Sequence, residues 1–387
     1  MHLSTDRILT THVGSLPRPD DLFELMLARM DGEPVDEQAY AARVKRAVAD
    51  SVREQAAAGL DVVSDGEMGK PSFITYAAQR LAGLEKREGS RPSPFANTRE
   101  TRDFPDYYQS TIAQQVSARR RRALVVCTGP IAYKGQTQLT SDLDTLKGAL
   151  KGASATEAFV PAIAPSNVEA TTPNEYYPSA EAYVFAIAEA MREEYKAIVD
   201  AGFLLQIDDP FLVTYYITRP DLEIAACRKW AELRVEALNA ALKGIPEDRI
   251  RFHTCYSINM GPRIHDMQLK DIIDIILKVR AGAYSFEASN PRHEHEWEEW
   301  ARVKLPDDKV LVPGVITQST VLVEHPELVA QRLARFAGVV GRERVIAGAD
   351  CGFASFAGSN EVHPSIVWAK FKALVDGARL ASKQLWS

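Results

Sequence analysis

The chain carries only four cysteines in 387 residues, Cys127, Cys227, Cys255 and Cys351, too few and too scattered for a disulfide framework. Thiols this sparse in a reducing compartment serve as core residues, metal ligands or nucleophiles. No apolar run approaches the roughly 20 residues that span a bilayer. The opening stretch MHLSTDRILTTHVGS has no charged-then-apolar leader pattern, so a cytoplasmic enzyme without a membrane partner is expected. Charge is also scarce: the net value of −6 is mild and not segregated into halves, which argues against nucleic acid as a partner. The one dense basic run, Arg119 to Arg122, precedes the apolar ALVVC without aromatic interleaving and reads as the solvated start of a strand. Fixed-period repeats and low-complexity tracts are absent from the sequence.

What is present is an ordinary globular composition, 46% hydrophobic and 25% charged, enough for a large core. The length calls for two domains or one barrel with insertions. β-branched, apolar runs ending in small or polar residues recur at 8–15, 60–67, 123–130, 157–166, 203–210, 250–257, 283–289, 309–316 and 345–352. Helical periodicity lies between them at 37–58, 179–201, 220–243, 267–280, 324–339 and 363–382. Strands alternating with helices predict a parallel sheet, and its natural closure is an α/β (β/α)8 TIM barrel occupying 1–387 as a single catalytic unit. Nine candidate strands are one too many for that barrel. The polar, Pro- and Arg-rich stretch 85–118 reads as an insertion or arm within it.

Barrel active sites gather at the C-terminal ends of the strands. The last polar residues of the runs are Ser15, Asp65, Glu67, Asp208, Asp209, His253, Cys255, Glu287, Asp350 and Cys351. In RFHTCYS, His253 and Cys255 are two apart on a strand and share a face, which suits either half of a metal site or a core thiol beside an imidazole. With Cys351 and Glu287 at other strand ends, the four make a tetrahedral zinc set. Two thiolates with an exchangeable oxygen ligand suit a reaction in which an incoming thiol becomes a zinc-bound thiolate. His293 and His295 in NPRHEHEWEEW begin a helix, where positions two apart do not face each other. Asp65 and Glu67 also have the spacing of an acid/base pair, a reading that leaves the cysteines without a role.

On these residues the chain resembles the catalytic barrel of cobalamin-independent methionine synthases and their short single-barrel relatives, which include epoxyalkane:coenzyme M transferases. TTHVGSLPRP resembles the family's Gly-Ser-containing first strand, VVSDGE its second-strand glutamate and LLQIDDP its Gln-Ile-Asp-Glu-Pro stretch, while HTCY, FEAS and ADCG resemble its three zinc-ligand segments. The resemblance implies that His253, Cys255, Glu287 and Cys351 bind Zn2+, with Glu287 labile, and that Ser15, Glu67 and Asp208 hold the amino-acid part of a homocysteine-like thiol. An ammonium calls for such carboxylates. The implied function is zinc-dependent methyl or alkyl transfer to that thiol, with a small-molecule thiol and an alkyl donor as partners; a homo-oligomer is compatible with the sequence.

Two departures bear on the donor. The loop APSNVEATTPNEYY lacks the family's pterin-facing tryptophan, and Ser319 falls in PGVITQSTVL where the family has a histidine. Methyl-tetrahydrofolate polyglutamate is therefore not the expected donor. Three alternatives stand beside this reading. In an epoxide-opening coenzyme M transferase, Arg18 or Lys70 would meet a sulfonate and Tyr133 or Tyr215 would supply the proton. A decarboxylase-like barrel would need no metal, and a zinc-stabilised binding protein would not turn over.

Overall fold

The computed structural model describes residues 1–90, 96–110, 123–256, 261–356 and 362–387. The arginine run 119–122 and positions 91–95 and 111–118 of the 85–118 stretch lie outside the described residues. Eight parallel strands form one sheet: β1 (Leu9–Thr10), β2 (Val62–Val63), β5 (Glu157–Ile163), β6 (Leu204–Asp208), β7 (Ile250–Thr254), β8 (Ala283–Glu287), β9 (Val310–Ile316) and β10 (Ile346–Ala349). Their order is β1-β10-β9-β8-β7-β6-β5-β2, and a parallel bridge between Thr11 and Val62 brings the two edges together as a barrel. The expected α/β barrel is thus the fold observed.

The surplus strand is ALVVCTGP. It belongs to β4 (Ala123–Tyr133), which pairs antiparallel with β3 (Leu81–Ser90) in a separate two-stranded sheet. β3 escapes a pattern search because its outer half, Glu85–Gly89, is charged and exposed, with no apolar alternation to mark a buried face. The 85–118 stretch therefore begins within this hairpin.

Helices cover the outside of the barrel. Glu37–Ala58 starts where the Asp36 carboxylate accepts the amides of Gln38 and Ala39, and it ends at Gly59 in the left-handed region. Ala180–Asp200, Ile224–Ala241, Pro326–Val340 and Pro364–Leu385 follow the periodicity read from the sequence, each with a buried apolar stripe. The helix expected over 267–280 is instead a 3-10 turn, Leu269–Asp271, and a four-residue helix, Ile273–Ile276. Isoleucines crowd this stretch, and β-branched side chains are stiff helix formers. Ile272, Ile273, Ile275 and Ile276 are all buried, so packing sets the shape of the segment.

The barrel ladders are short. ILTTHVGS and LDVVSDGE contribute strands of only two residues each, with Thr11 adding a single bridge, and the residues beyond them turn into loops at the mouth. The period of two on a strand then sorts the interior. Gln206 and Asp208, Arg251 and His253, and Ser285 and Glu287 fall on one face of β6, β7 and β8. Register places Asp208 opposite His253 and His253 opposite Ser285. Lower in the barrel, Arg251 donates to Thr11 Oγ1 at 3.0 Å and the His12 carbonyl at 2.8 Å, with its guanidinium over the Phe159 ring.

Candidate active site

Among the described residues, His253, Cys255 and Cys351 form a group whose ligand atoms all lie within 4.8 Å of one another. The two Sγ atoms are 3.3 Å apart, beyond disulfide length. His253 Nδ1 pairs with Ser285 Oγ at 3.1 Å, while its buried Nε2 has no hydrogen-bond partner. Burial, assisted by the charge of Arg251, pushes the imidazole down to about 3, so it is neutral, the form that ligates metals. A buried, unpartnered imidazole nitrogen beside two thiols is a donor set that fits zinc.

Glu287 stands at the end of β8 but outside that group. Oε1 accepts the Tyr256 amide at 2.7 Å; Oε2 accepts Arg263 Nη2 at 2.9 Å and also Asn290 Nδ2. Burial raises its pKa, opposed by Arg263. The neighbouring strand end is tied down by Asp350, whose carboxylate accepts the amides of Ala288 and Ser289 and the Ser289 hydroxyl at 2.7–3.0 Å. Asp350 sits where β9 offers a glycine: a β-carbon on Gly314 would come within 2.5 Å of the Asp350 backbone.

A cleft, open at its mouth, is lined by these three donors together with Ser15, Glu67 and Asp208. Glu67 has φ 57, rare for a residue with a side chain, and is held there by its amide donating to Asp65 Oδ1 at 2.9 Å. Its Oε1 receives no hydrogen bond and has Lys70 Nζ at 3.5 Å. Asp208 Oδ1 accepts Gln206 Nε2 at 2.8 Å. Burial raises the pKa of both carboxyls; Lys70 opposes the shift at Glu67, and the Glu67 charge adds to it at Asp208. Two buried carboxyls with so few donors suit a cationic group.

Other residues singled out in the sequence have work elsewhere. Asp65 caps the Glu67 turn, so the two are not a free acid/base pair. Asp209 accepts Ser166 Oγ, Asn167 Nδ2 and the Leu212 amide, anchoring two short helices at the mouth. Arg18 donates to the carbonyls of Ala354, Glu67 and Lys70, and Lys70 Nζ to the Pro161 carbonyl. Tyr133 donates to Glu194 and Tyr215 stacks on Trp230; neither lines the cleft. His295 is exposed, while His293 is buried against Tyr256, with ring centroids 3.7 Å apart. Burial works against a charge on His293, but bonds to Asp266 and Glu296 outweigh it and raise it to about 9. Sequence reading missed Ser285, Arg263 and Asn290. Ser285 lies on the same face as Glu287, a signal that was available; Arg263 and Asn290 follow strands in loops and had none.

Fold and site together define a class: an α/β barrel with an imidazole and two thiols gathered at its C-terminal mouth, beside buried carboxyls. The family model described as "Cobalamin-independent synthase, Catalytic domain" matches residues 8–100 and 107–372, and the chain belongs to that family. It is 24% identical over 379 residues to a methionine synthase of Thermococcus kodakarensis, covering 97% of this chain and 94% of that protein. It is 26% identical over 345 residues to a methionine synthase of Sulfolobus acidocaldarius, covering 89% and 85%. A solved B12-independent methionine synthase from Shewanella sp. W3-18-1, in complex with selenomethionine, shares the fold with a TM-score of 0.73 at 19% identity, over 98% of this chain and 99% of that one. A putative vitamin-B12 independent methionine synthase from Listeria monocytogenes gives 0.67 at 21% identity, over 96% and 98%. No helix among the described residues is long and apolar enough to cross a membrane.

Proposed function

We propose that this chain is a zinc-dependent methyltransferase that methylates homocysteine, acting as one catalytic barrel over 1–387 with 85–118 as an inserted arm. The observation that carries the proposal is the convergence, in one cleft, of His253, Cys255 and Cys351 with Glu67 and Asp208. His253, Cys255, Cys351 and Glu287 would hold the zinc, which when bound supplies thiol activation, keeping sulfur as a thiolate at neutral pH. The protein's own groups do the rest. Glu67 and Asp208 would meet the substrate ammonium, and the Ser15 hydroxyl, at the Gly-Ser turn, its carboxylate. Substrate held by these groups in the open cleft would accept a methyl group on its sulfur as the donor's bond to that carbon breaks.

The same geometry bears on the epoxide-opening alternative. A sulfonate needs a free cation, yet Arg18 and Lys70 are both engaged by carbonyl oxygens, and Glu67 and Asp208 would repel it. This supports homocysteine over coenzyme M. The test is Cys351→Ala: it is expected to lose stoichiometric zinc and methionine formation from homocysteine together. A variant with one equivalent of zinc and full turnover would overturn the site.

A further inference from the structure

We infer that Arg263 is a positioning residue for ligand exchange: it receives the Glu287 carboxylate whenever a substrate thiol occupies the metal. The inference rests on the reading of Glu287 as an exchangeable zinc ligand and assigns the partner that makes exchange affordable.

The problem is electrostatic. Replacing a carboxylate by a thiolate leaves the charge at the metal unchanged, but it releases a carboxylate that is buried. A buried charge without a counter-charge is strongly unfavourable. Glu287 has no exposed side-chain surface, so solvent cannot serve. Arg263 Nη2 lies 2.9 Å from Glu287 Oε2, with Asn290 Nδ2 on the same oxygen and the Tyr256 amide on Oε1. These donors form a complete station for the anion at a place distinct from the His253, Cys255 and Cys351 group.

The station is built at some cost. Arg263 has φ 60, one of only two non-glycine residues with positive φ among the described residues; the other is Glu67. Its guanidinium is buried and continues outward through alternating charges. Nε donates to Asp266 Oδ2 at 2.8 Å, that oxygen pairs with His293 Nε2 at 3.1 Å, and His293 Nδ1 pairs with Glu296 Oε2 at 2.8 Å. Tyr256, stacked on His293, adds a wall to this chain and presents the amide that meets Glu287. Asp266 holds the fork of Arg263 aimed at Glu287, and the chain keeps each buried charge beside an opposite one.

The test uses the full-length protein loaded with Co2+ and titrated with homocysteine, following thiolate-to-cobalt charge-transfer absorption. Wild type is expected to gain one thiolate increment. Arg263→Gln is expected to bind homocysteine at the metal at least about tenfold more weakly, the loss of one charge-assisted hydrogen bond. Arg263→Lys, which keeps the charge without the fork, should fall between the two. In a Glu287→Gln background the Arg263→Gln effect should shrink to within about twofold, because the anion it serves is gone. An Arg263→Gln titration matching wild type, or an effect undiminished by Glu287→Gln, would overturn the assignment while leaving the zinc reading intact. Absence of any thiolate increment in wild type would overturn both. If Arg263→Gln does not fold, Asn290→Ala removes another donor to the same oxygen: weaker homocysteine binding supports the station, and unchanged binding rejects it.

Discussion

Gly352→Ala tests whether the Ser15 hydroxyl holds substrate. A β-carbon at position 352 would overlap Ser15 Oγ and would stand 3.3 Å from both Ser15 Cβ and Ser355 Oγ. The backbone there is not in the left-handed region, so space alone decides the outcome. Ser15 Cβ and Ser355 Oγ need give only a few tenths of an ångström, whereas Ser15 Oγ must rotate to another staggered position. The stability cost of such local overpacking is about 1–2 kcal/mol. The functional cost is the hydrogen bond that Ser15 would make to the substrate carboxylate, roughly 1.5–3 kcal/mol for a charged partner, or a loss of about ten- to a hundredfold in kcat/KM for homocysteine. Zinc content should stay stoichiometric, because Cys351 keeps its backbone. Steady-state kinetics with metal analysis on the same preparation makes the comparison. Adding Ser15→Gly should restore thermal stability by removing the clash, but not kcat/KM. Unchanged kcat/KM in Gly352→Ala would refute the role given to Ser15.

Two further expectations concern the residues that brace the site. Asp209 is raised from 3.8 to about 6 by burial, against its bonds to Ser166 and Asn167. The folded state then binds the proton more tightly than the unfolded state, so stability falls as pH rises from about 4 to 6, by up to about 3 kcal/mol. Urea unfolding should show wild type losing that much relative to Asp209→Asn across the window, and parallel pH profiles would reject it. Asp350→Ala leaves the Ala288 and Ser289 amides buried without their acceptor, at a cost of about 3 kcal/mol or more. The same unfolding assay measures it, and a change below about 1 kcal/mol would show that the turn after β8 does not depend on Asp350.

The barrel was legible because each of its strands ends a compact apolar run and is followed by helical periodicity or a polar loop. The hairpin was half hidden: β4 has the run, but Glu85, Lys86 and Arg87 of β3 face solvent and carry no pattern. His253 and Cys255 share a face by strand spacing alone, whereas bringing Cys351 within reach of them takes closure of the barrel, 96 residues further on. Long polar side chains resist sequence reading most. Arg18 and Lys70 are near the cleft in sequence, but which carbonyls capture them depends on the loops around them. Glu287 shows the same limit: its place at a strand end follows from pattern, but its present partners, Arg263, Asn290 and Tyr256, come from loops that no periodicity locates.

X-ray absorption at the zinc edge, with and without thiol, tests the central claim most directly. The zinc of the resting protein is expected to show two sulfur scatterers with nitrogen and oxygen completing four ligands. Homocysteine should add a third sulfur at the expense of oxygen, and coenzyme M at equal concentration should not. An unchanged sulfur count with homocysteine, or a gain with coenzyme M alone, would contradict the account.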